Sequence, residues 1–414
     1  MRSAFLLRLF ISCMAVLSSS VSVPAFAQGK PPSSAYHPSG MCDDYPRLDL
    51  KVPKGLCVGL VAENLGFPRG VAAIDQDIYV VDMGGWDLKR GRLLRLSLKK
   101  PSVPEVLLSH LDMPNAIVAT PDGQLLISVL GRIVRLDPKA RNPVSTMEDV
   151  VINLPGSGRH PLSAMALGAD GALYINVGSA TDHCERKPGL SGPPELPCPE
   201  TTQRPPRGSV LRAVLPTESG VVLDARKLQV YARGLRNSLA LALSPAGTLI
   251  AATNSRDAIN QADAKLSDVT LPHDTLSWLK AGADYGWPYC FDKFRPSPEY
   301  AGFDCGKKTA STRLLPAHAA PFGMLVYRGE TLPALAGHLI IGYHGFRAAG
   351  HKLVSLALDN AYRPQGMPVD LISDWNAIPG KHPMGAPVAL AMMADGSILI
   401  TEDRNGTLLR LAAE

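Results

Sequence analysis

Charge is scarce in this 414-residue sequence: 19% of residues are Asp, Glu, Lys or Arg, and the formal net charge is +5. An excess so small and evenly spread excludes the basic face that holds nucleic acid or an anionic membrane. Beyond the first residues no stretch is long and apolar enough to cross a bilayer, so no membrane span is expected. There is no C-x-x-C pair, which leaves out close-spaced zinc sites, and no C-x-x-C-H, which leaves out a covalently attached haem. No G-x-G-x-x-G opens a helix after a strand, so a dinucleotide-binding turn is missing as well. Room for long helices is also short. The 36 prolines and 37 glycines interrupt the chain often and suit short strands joined by turns.

What is present begins with a leader. Arg2 and Arg8 form a basic start, residues 10–17 are apolar, and Ala25-Phe26-Ala27 is a small-residue cleavage site. Residues 1–27 therefore read as a secretory signal, and the expected location is the periplasm or outside the cell. Residues 28–56 would form an N-terminal extension and 57–414 the main domain. Of seven cysteines, Cys13 would leave with the signal. The other six fall as local pairs, Cys42/Cys57, Cys184/Cys198 and Cys290/Cys305. In an oxidising compartment such neighbours are expected to be disulfides, each contributing roughly 3 kcal/mol by the loop-entropy model.

One unit recurs along the chain: a turn, a short apolar strand, then a second strand. It reads DQDIYVVD (75–82) with GRLLRL (91–96), and PDGQLLISV (121–129) with GRIVRL (131–136). It returns as ADGALYINV (169–177) with GSVLRA (208–213), LAGHLIIGY (335–343) with HKLVSL (351–356), and ADGSILITED (394–403) with GTLLRL (406–411). PAGTLIAAT (245–253) has the first strand and a different continuation. A β-sandwich would not explain the same hairpin returning six times. The expected fold is all-β, a six-bladed β-propeller. CVGLVAE (57–63) could supply the strand that the last repeat lacks and close the ring.

In a propeller, the residue entering each innermost strand faces the channel mouth. Reading back from each turn gives Arg69, Asn115, His160, Arg236 with Asn237, and His318, and the sixth blade enters through PMGAPVALA (383–391). His160 thus belongs to a ring of polar groups around an axial cavity.

Several blocks carry a resemblance: RHPLSAMALGADGALYINVGSATDHCE, YARGLRNSLALAL, AGADYGWPYC, HAAPFGMLVYRG, GYHGFRAAGHKLV and GAPVALAMMADGSILITED. In this order they resemble the soluble, quinone-dependent glucose/sorbosone dehydrogenases, most nearly the sorbosone- and pyranose-dehydrogenase-like branch. The similarity runs from about residue 57 to the C-terminus. It implies a six-bladed propeller, pyrroloquinoline quinone (PQQ) as cofactor and oxidation of sugars. By that resemblance His160, in the H-x(9)-D-G block, is the base that takes the hydroxyl proton, a task that suits imidazole near neutral pH.

The resemblance also implies cofactor contacts from Arg236 and Asn237 in GLRNS, from His344 and Arg347 in YHGFR, and from Arg69. Arginine suits a tricarboxylate because it binds carboxylates bidentately. With no acidic run beside them in sequence, Arg236, His344 and Arg347 are expected to leave the cavity with excess positive charge. Calcium is implied too: the carbonyls of Ser255 and Arg256 at a cofactor-bridging ion, and Asp257, the Tyr285 carbonyl and Asp292 at a second, structural one. Trp287 is read as core between blades rather than as a sugar platform.

The partners expected are a small sugar and a separate electron acceptor, a quinone or a cytochrome. Two other readings share the scaffold. One is a lactonase-type propeller hydrolase, whose axial metal needs several carboxylates. The other is a propeller that only binds.

Overall fold

The computed structural model describes residues 36–98, 100–186, 195–216, 218–345, 347–375 and 385–414. The expected signal peptide, residues 1–27, lies outside the described residues, as do 28–35 of the expected extension.

Each recurring hairpin forms the second and third strands of a blade, inside which a further strand lines the axis. The first blade runs Pro68–Ile74, Asp77–Asp82, Gly91–Ser97 and Lys100–Leu111, from the axis outward. The other innermost strands are Ile117–Ala119, Met165–Leu167, Ala240–Leu243, Pro321–Val326 and Pro387–Met392, and each packs against the next around a closed ring. The fourth repeat finds its third strand late, in Asp274–Trp278 after a long loop.

The second strand of each blade is apolar throughout because both of its faces are covered. Tyr79 and Val81 pack toward the second blade, with Ile127 and Val134, while Ile78 and Val80 pack toward the sixth, with Leu399 and Leu408. One apolar cluster lies at each of the six blade interfaces. Each fully buried Leu, Ile or Val there is worth roughly 1.5–3 kcal/mol of hydrophobic stabilisation.

The turn between the two inner strands is also reused. In the second blade Gly123 N–H donates to Thr120 C=O and Thr120 N–H to Gln124 C=O, with Gly123 at φ 83°. The same pair of bonds recurs around Gly171, Gly247 and Gly396, each at positive φ. This is a type I turn closed by a left-handed residue, which is why glycine stands at that place in four repeats.

The ring is closed by the strand expected from the sequence. Leu56–Ala62 pairs antiparallel with Thr407–Ala413, Val58 opposite Leu411 and Leu60 opposite Leu409. Two further strands, Tyr45–Leu48 and Met41–Cys42, continue the same sheet outward. The three expected disulfides are formed, Cys42–Cys57, Cys184–Cys198 and Cys290–Cys305. Trp287 is buried, as expected.

One consequence of the hairpin positions the site. The innermost strand runs away from the mouth and the second returns to it. Residues entering the first and residues leaving the second therefore meet at one end of the channel.

Cys42–Cys57 ties the outer hairpin to the closing strand. Replacing both cysteines by serine should lower the unfolding free energy by about 2–4 kcal/mol, read by urea denaturation under non-reducing conditions. An unchanged midpoint would show that strand pairing alone secures the closure.

Candidate active site

At that end lies a cavity of about 320 Å³. Its wall takes Phe67 and Arg69 from the first blade, His160 and Leu162 from the third, Asn237 and Leu239 from the fourth and Phe322 from the fifth, all around entries to innermost strands. Exits from second strands supply Trp86, His344, Asp403 and Arg404, and Arg159 and Pro161 flank His160. A second space of about 230 Å³ shares Arg69, Leu239 and Phe322 and continues between the inner strands past Val71, Ala166 and Met324.

Asp403 organises the sixth-blade side. It is 2% exposed and accepts from Arg69 Nη1 at 2.7 Å and from His344 Nε2 at 2.9 Å. Burial works against its ionisation, yet His344 and Arg69 hold its carboxyl below the ordinary value. Burial likewise pushes the His344 pKa down, so its ring is neutral and donates through Nε2. The ring stacks on Phe322 with centroids 4.3 Å apart, and the Arg69 guanidinium lies 5.0 Å from the centroid of the same phenyl. Arg69 Nε donates to Asn115 Oδ1 at 3.0 Å, and Asn115 in turn donates to Ser163 C=O. Asn115 thus acts from the second blade through Arg69.

The opposite side is organised by Asp182, which accepts from Arg236 Nη2. Arg236 also donates through Nε to Asp182 C=O and through Nη1 to Asn254 C=O. Burial opposes a charge on Asp182, but His183 and the guanidiniums of Arg236 and Arg159 hold its carboxyl far below the usual range. Arg159, at the rim, reaches Asp257 at 2.8 Å.

His160 stands between these groups. Its Nδ1 lies 2.8 Å from Ser179 Oγ and 3.2 Å from Ser179 C=O. Ser179 Oγ–H donates to Thr181 C=O at 2.6 Å, so the hydroxyl can only accept from the imidazole. Nδ1 therefore carries the proton, and Nε2 keeps its lone pair. Burial, then the positive charges of Arg236 and Arg159, lower the His160 pKa to about 3. The ring is a neutral base of fixed tautomer.

The structure brings His160, Asn237, His344 and Arg69 together in one wall, as the sequence led us to expect. Arg236 is placed differently. It backs the wall without lining it, all three of its nitrogens being engaged by Asp182 and Asn254. Arg347 is paired with Asp268 away from the cavity, and His318 bonds to Asp268 C=O and faces Asp257. The expected excess of positive charge is largely compensated, because Asp403, Asp182, Asp257 and Asp268 arrive from other blades. Asp403, Asp182 and Ser179 went unnoticed in the sequence. Their signal was the repeat itself, read where the second strand ends (ITED, NVGS).

Ser255, Arg256, Tyr285 and Asp292 border one narrow cleft beside the cavity, and Asp257 lies outside its wall. Asp257 is held down at about 2 by its His318 hydrogen bond, against the cost of burial and with Arg236 behind it. Asp292 accepts from His273 N–H at 2.8 Å and faces the His273 ring at 3.1 Å. The carbonyls of Ser255, Arg256 and Tyr285 accept no hydrogen bond among the described residues. Cys184, Cys198 and Glu200 form the one side-chain group with ligand spacing among the described residues, and its two sulfurs are bonded to each other.

Comparison with known proteins agrees with this architecture. An uncharacterized protein of Borreliella burgdorferi is 26% identical over 203 residues, 46% of this chain; the match spans 51% of that relative's length. Among solved structures, an AA12-family carbohydrate-active enzyme of Trichoderma reesei superposes with a TM-score of 0.71 at 16% identity, over 91% of this chain and all of that one. The holo PQQ domain of pyranose dehydrogenase from Coprinopsis cinerea gives 0.68 at 17%, over 89% and 98%. The PQQ-bound aldose sugar dehydrogenase of Streptomyces coelicolor gives 0.57 at 17%, over 88% and 100%. These likenesses show the shared propeller. Residues 129–366, more than half of the chain, match the glucose/sorbosone dehydrogenase family, and the chain belongs to that family.

Proposed function

We propose that this protein is an exported, PQQ-dependent sugar dehydrogenase that oxidises an aldose or a related sugar alcohol and passes electrons to a separate acceptor. The observation that carries the reading is the wall itself: a neutral imidazole of fixed tautomer in a cavity edged by three guanidiniums and the rings of Phe67, Trp86 and Phe322. That wall fits a planar, anionic quinone. Among the described residues nothing donates to the buried Asn237 Oδ1, and a donor group of a bound ligand would satisfy it. Arg69, Asn237 and His344, in the buried part of that wall, would hold the cofactor. Bound there, PQQ supplies a two-electron acceptor for hydride.

The chain's own residues do the remainder. His160 Nε2 takes the proton of the sugar hydroxyl as its C–H bond breaks. Ser179 holds the tautomer, and the Arg236–Asp182 pair fixes the loop that carries Ser179. The carbonyls of Ser255, Arg256 and Tyr285, which accept no hydrogen bond among the described residues, suit one calcium, a hard cation that would supply Lewis acidity. A second calcium at Asp257 and Asp292 does not fit, because both carboxylates already serve neighbouring side chains. A lactonase-type site does not fit either. Asp403 is the carboxylate in the wall among the described residues, and Arg69 and His344 share it. The leader and the three disulfides favour the periplasm or secretion, where such bridges persist.

Two outcomes are expected. In the cofactor-free protein the His160 ring resonance should stay neutral to below pH 5 and titrate only near 3; a midpoint near the ordinary histidine value would refute the buried-base arrangement. Ser179→Ala should raise that midpoint little but mix the two neutral tautomers, visible in the ring nitrogen shifts.

PQQ with calcium should raise Tm, as any ligand of the native state must, and a chelator should remove most of the gain. His160→Ala should keep the gain while kcat with sugars falls by roughly 10²–10⁴. Absence of a shift at saturating PQQ would favour the propeller that only binds.

A further inference from the structure

The cavity has a fixed apolar rim that the reaction as derived leaves idle. Trp86 lines it and is 62% exposed. The other three tryptophans each donate their indole N–H: Trp278 to Tyr362 C=O, Trp287 to Asp182 C=O and Trp375 to the Tyr36 hydroxyl. Trp86 leaves its ring largely open to solvent. A large aromatic surface left in water is worth explaining when it borders a cavity.

The segment that carries Trp86 is held at both ends. Gly84 N–H donates to Asp82 Oδ1 at 2.9 Å and Lys89 N–H to Asp112 Oδ1 at 3.0 Å. Met83 is fully buried against Met113 and Leu162. Gly84 has φ 70°, and a Cβ there would lie 2.3 Å from Arg90 C=O, so the chain folds back closely to present the indole. The backbone that carries the ring is held in place, which lowers the entropy cost of binding on it.

We propose that Trp86 is the platform for the pyranose ring of the substrate, its indole meeting the C–H face of the sugar at the mouth of the cavity. The assignment rests on the dehydrogenase reading and names a subsite within it. A resident cofactor would occupy the buried wall, where Arg69, Asn237, His344 and Asp403 are each 8% exposed or less. A substrate that arrives and leaves meets the rim. There the indole offers an apolar face, and Arg159, which lines the same cavity and is half exposed, carries further N–H donors for sugar hydroxyls.

The test compares Trp86→Ala and Trp86→Phe with the wild type, each loaded with PQQ and calcium. KM for an oxidised pyranose should rise about tenfold in the alanine variant, with kcat little changed and most of the loss recovered by phenylalanine. The PQQ thermal shift should be the same in all three. A non-reacting pyranose should shield wild-type fluorescence from acrylamide quenching and have no such effect on Trp86→Ala. An unchanged KM with no shielding overturns the proposal. So does loss of the PQQ shift in Trp86→Ala, which assigns the ring to the cofactor, or a rise confined to the KM of the electron acceptor, which assigns it to a docking surface. If the wild type shows no PQQ shift, the dehydrogenase reading falls, and sugar shielding of Trp86 in the unloaded protein still decides this site.

Discussion

Everything at the channel mouth depends on one set of backbone hydrogen bonds, the ladder between Leu56–Ala62 and Thr407–Ala413. An open row of blades would leave apolar faces at both ends. Closure instead gives every second strand two covered faces, so Ile78, Tyr79, Val80 and Val81 can all be buried in succession. It also brings Asp403 of the last blade against Arg69 of the first, a contact 334 residues apart in sequence. Without that closure neither residue could remain charged where it lies.

The second constraint is electrostatic. The mouth gathers the guanidiniums of Arg69, Arg159 and Arg236, and each meets a carboxylate from a different part of the chain. Pairing holds those carboxylates ionised against burial, while burial, with neighbouring guanidiniums adding to it, lowers the pKa of His160 and His344. A base of lowered pKa and fixed tautomer follows from the neighbours rather than from the histidine. The chain of contacts behind it is local: Glu200 accepts from Ala180 N–H and Thr181 Oγ, and its own loop is tied by Cys184–Cys198. The disulfide therefore supports the His160 side of the third blade as well as its stability.

The tryptophans show how burial divides similar residues between roles. Trp287, in the YGWP motif, packs on Gly208 and bonds to Asp182 C=O, within the interior. Trp86, in a stretch with no motif, stands at the rim because its loop is pinned on both sides. Composition cannot separate the two. The difference lies in what surrounds each ring after the blades have met.

The sequence by itself determined the repeat, and with it the blade count, the closing strand and the three bridges. Those features depend on local patterns: strand alternation, a glycine that must adopt positive φ, and cysteines close enough to pair. It also located His160, Asn237, His344 and Arg69, since entry to an inner strand and the family motifs are both readable along the chain. Only the tertiary structure decided which charges meet. Arg236 and Arg347 read as free cations beside no acid, yet Asp182 and Asp268 reach them from loops 54 and 79 residues away. Linear distance carries no information about such pairs, because blade closure sets them. For the same reason Ser179, Asp403 and Trp86 became visible only when the second strands were seen returning to the mouth.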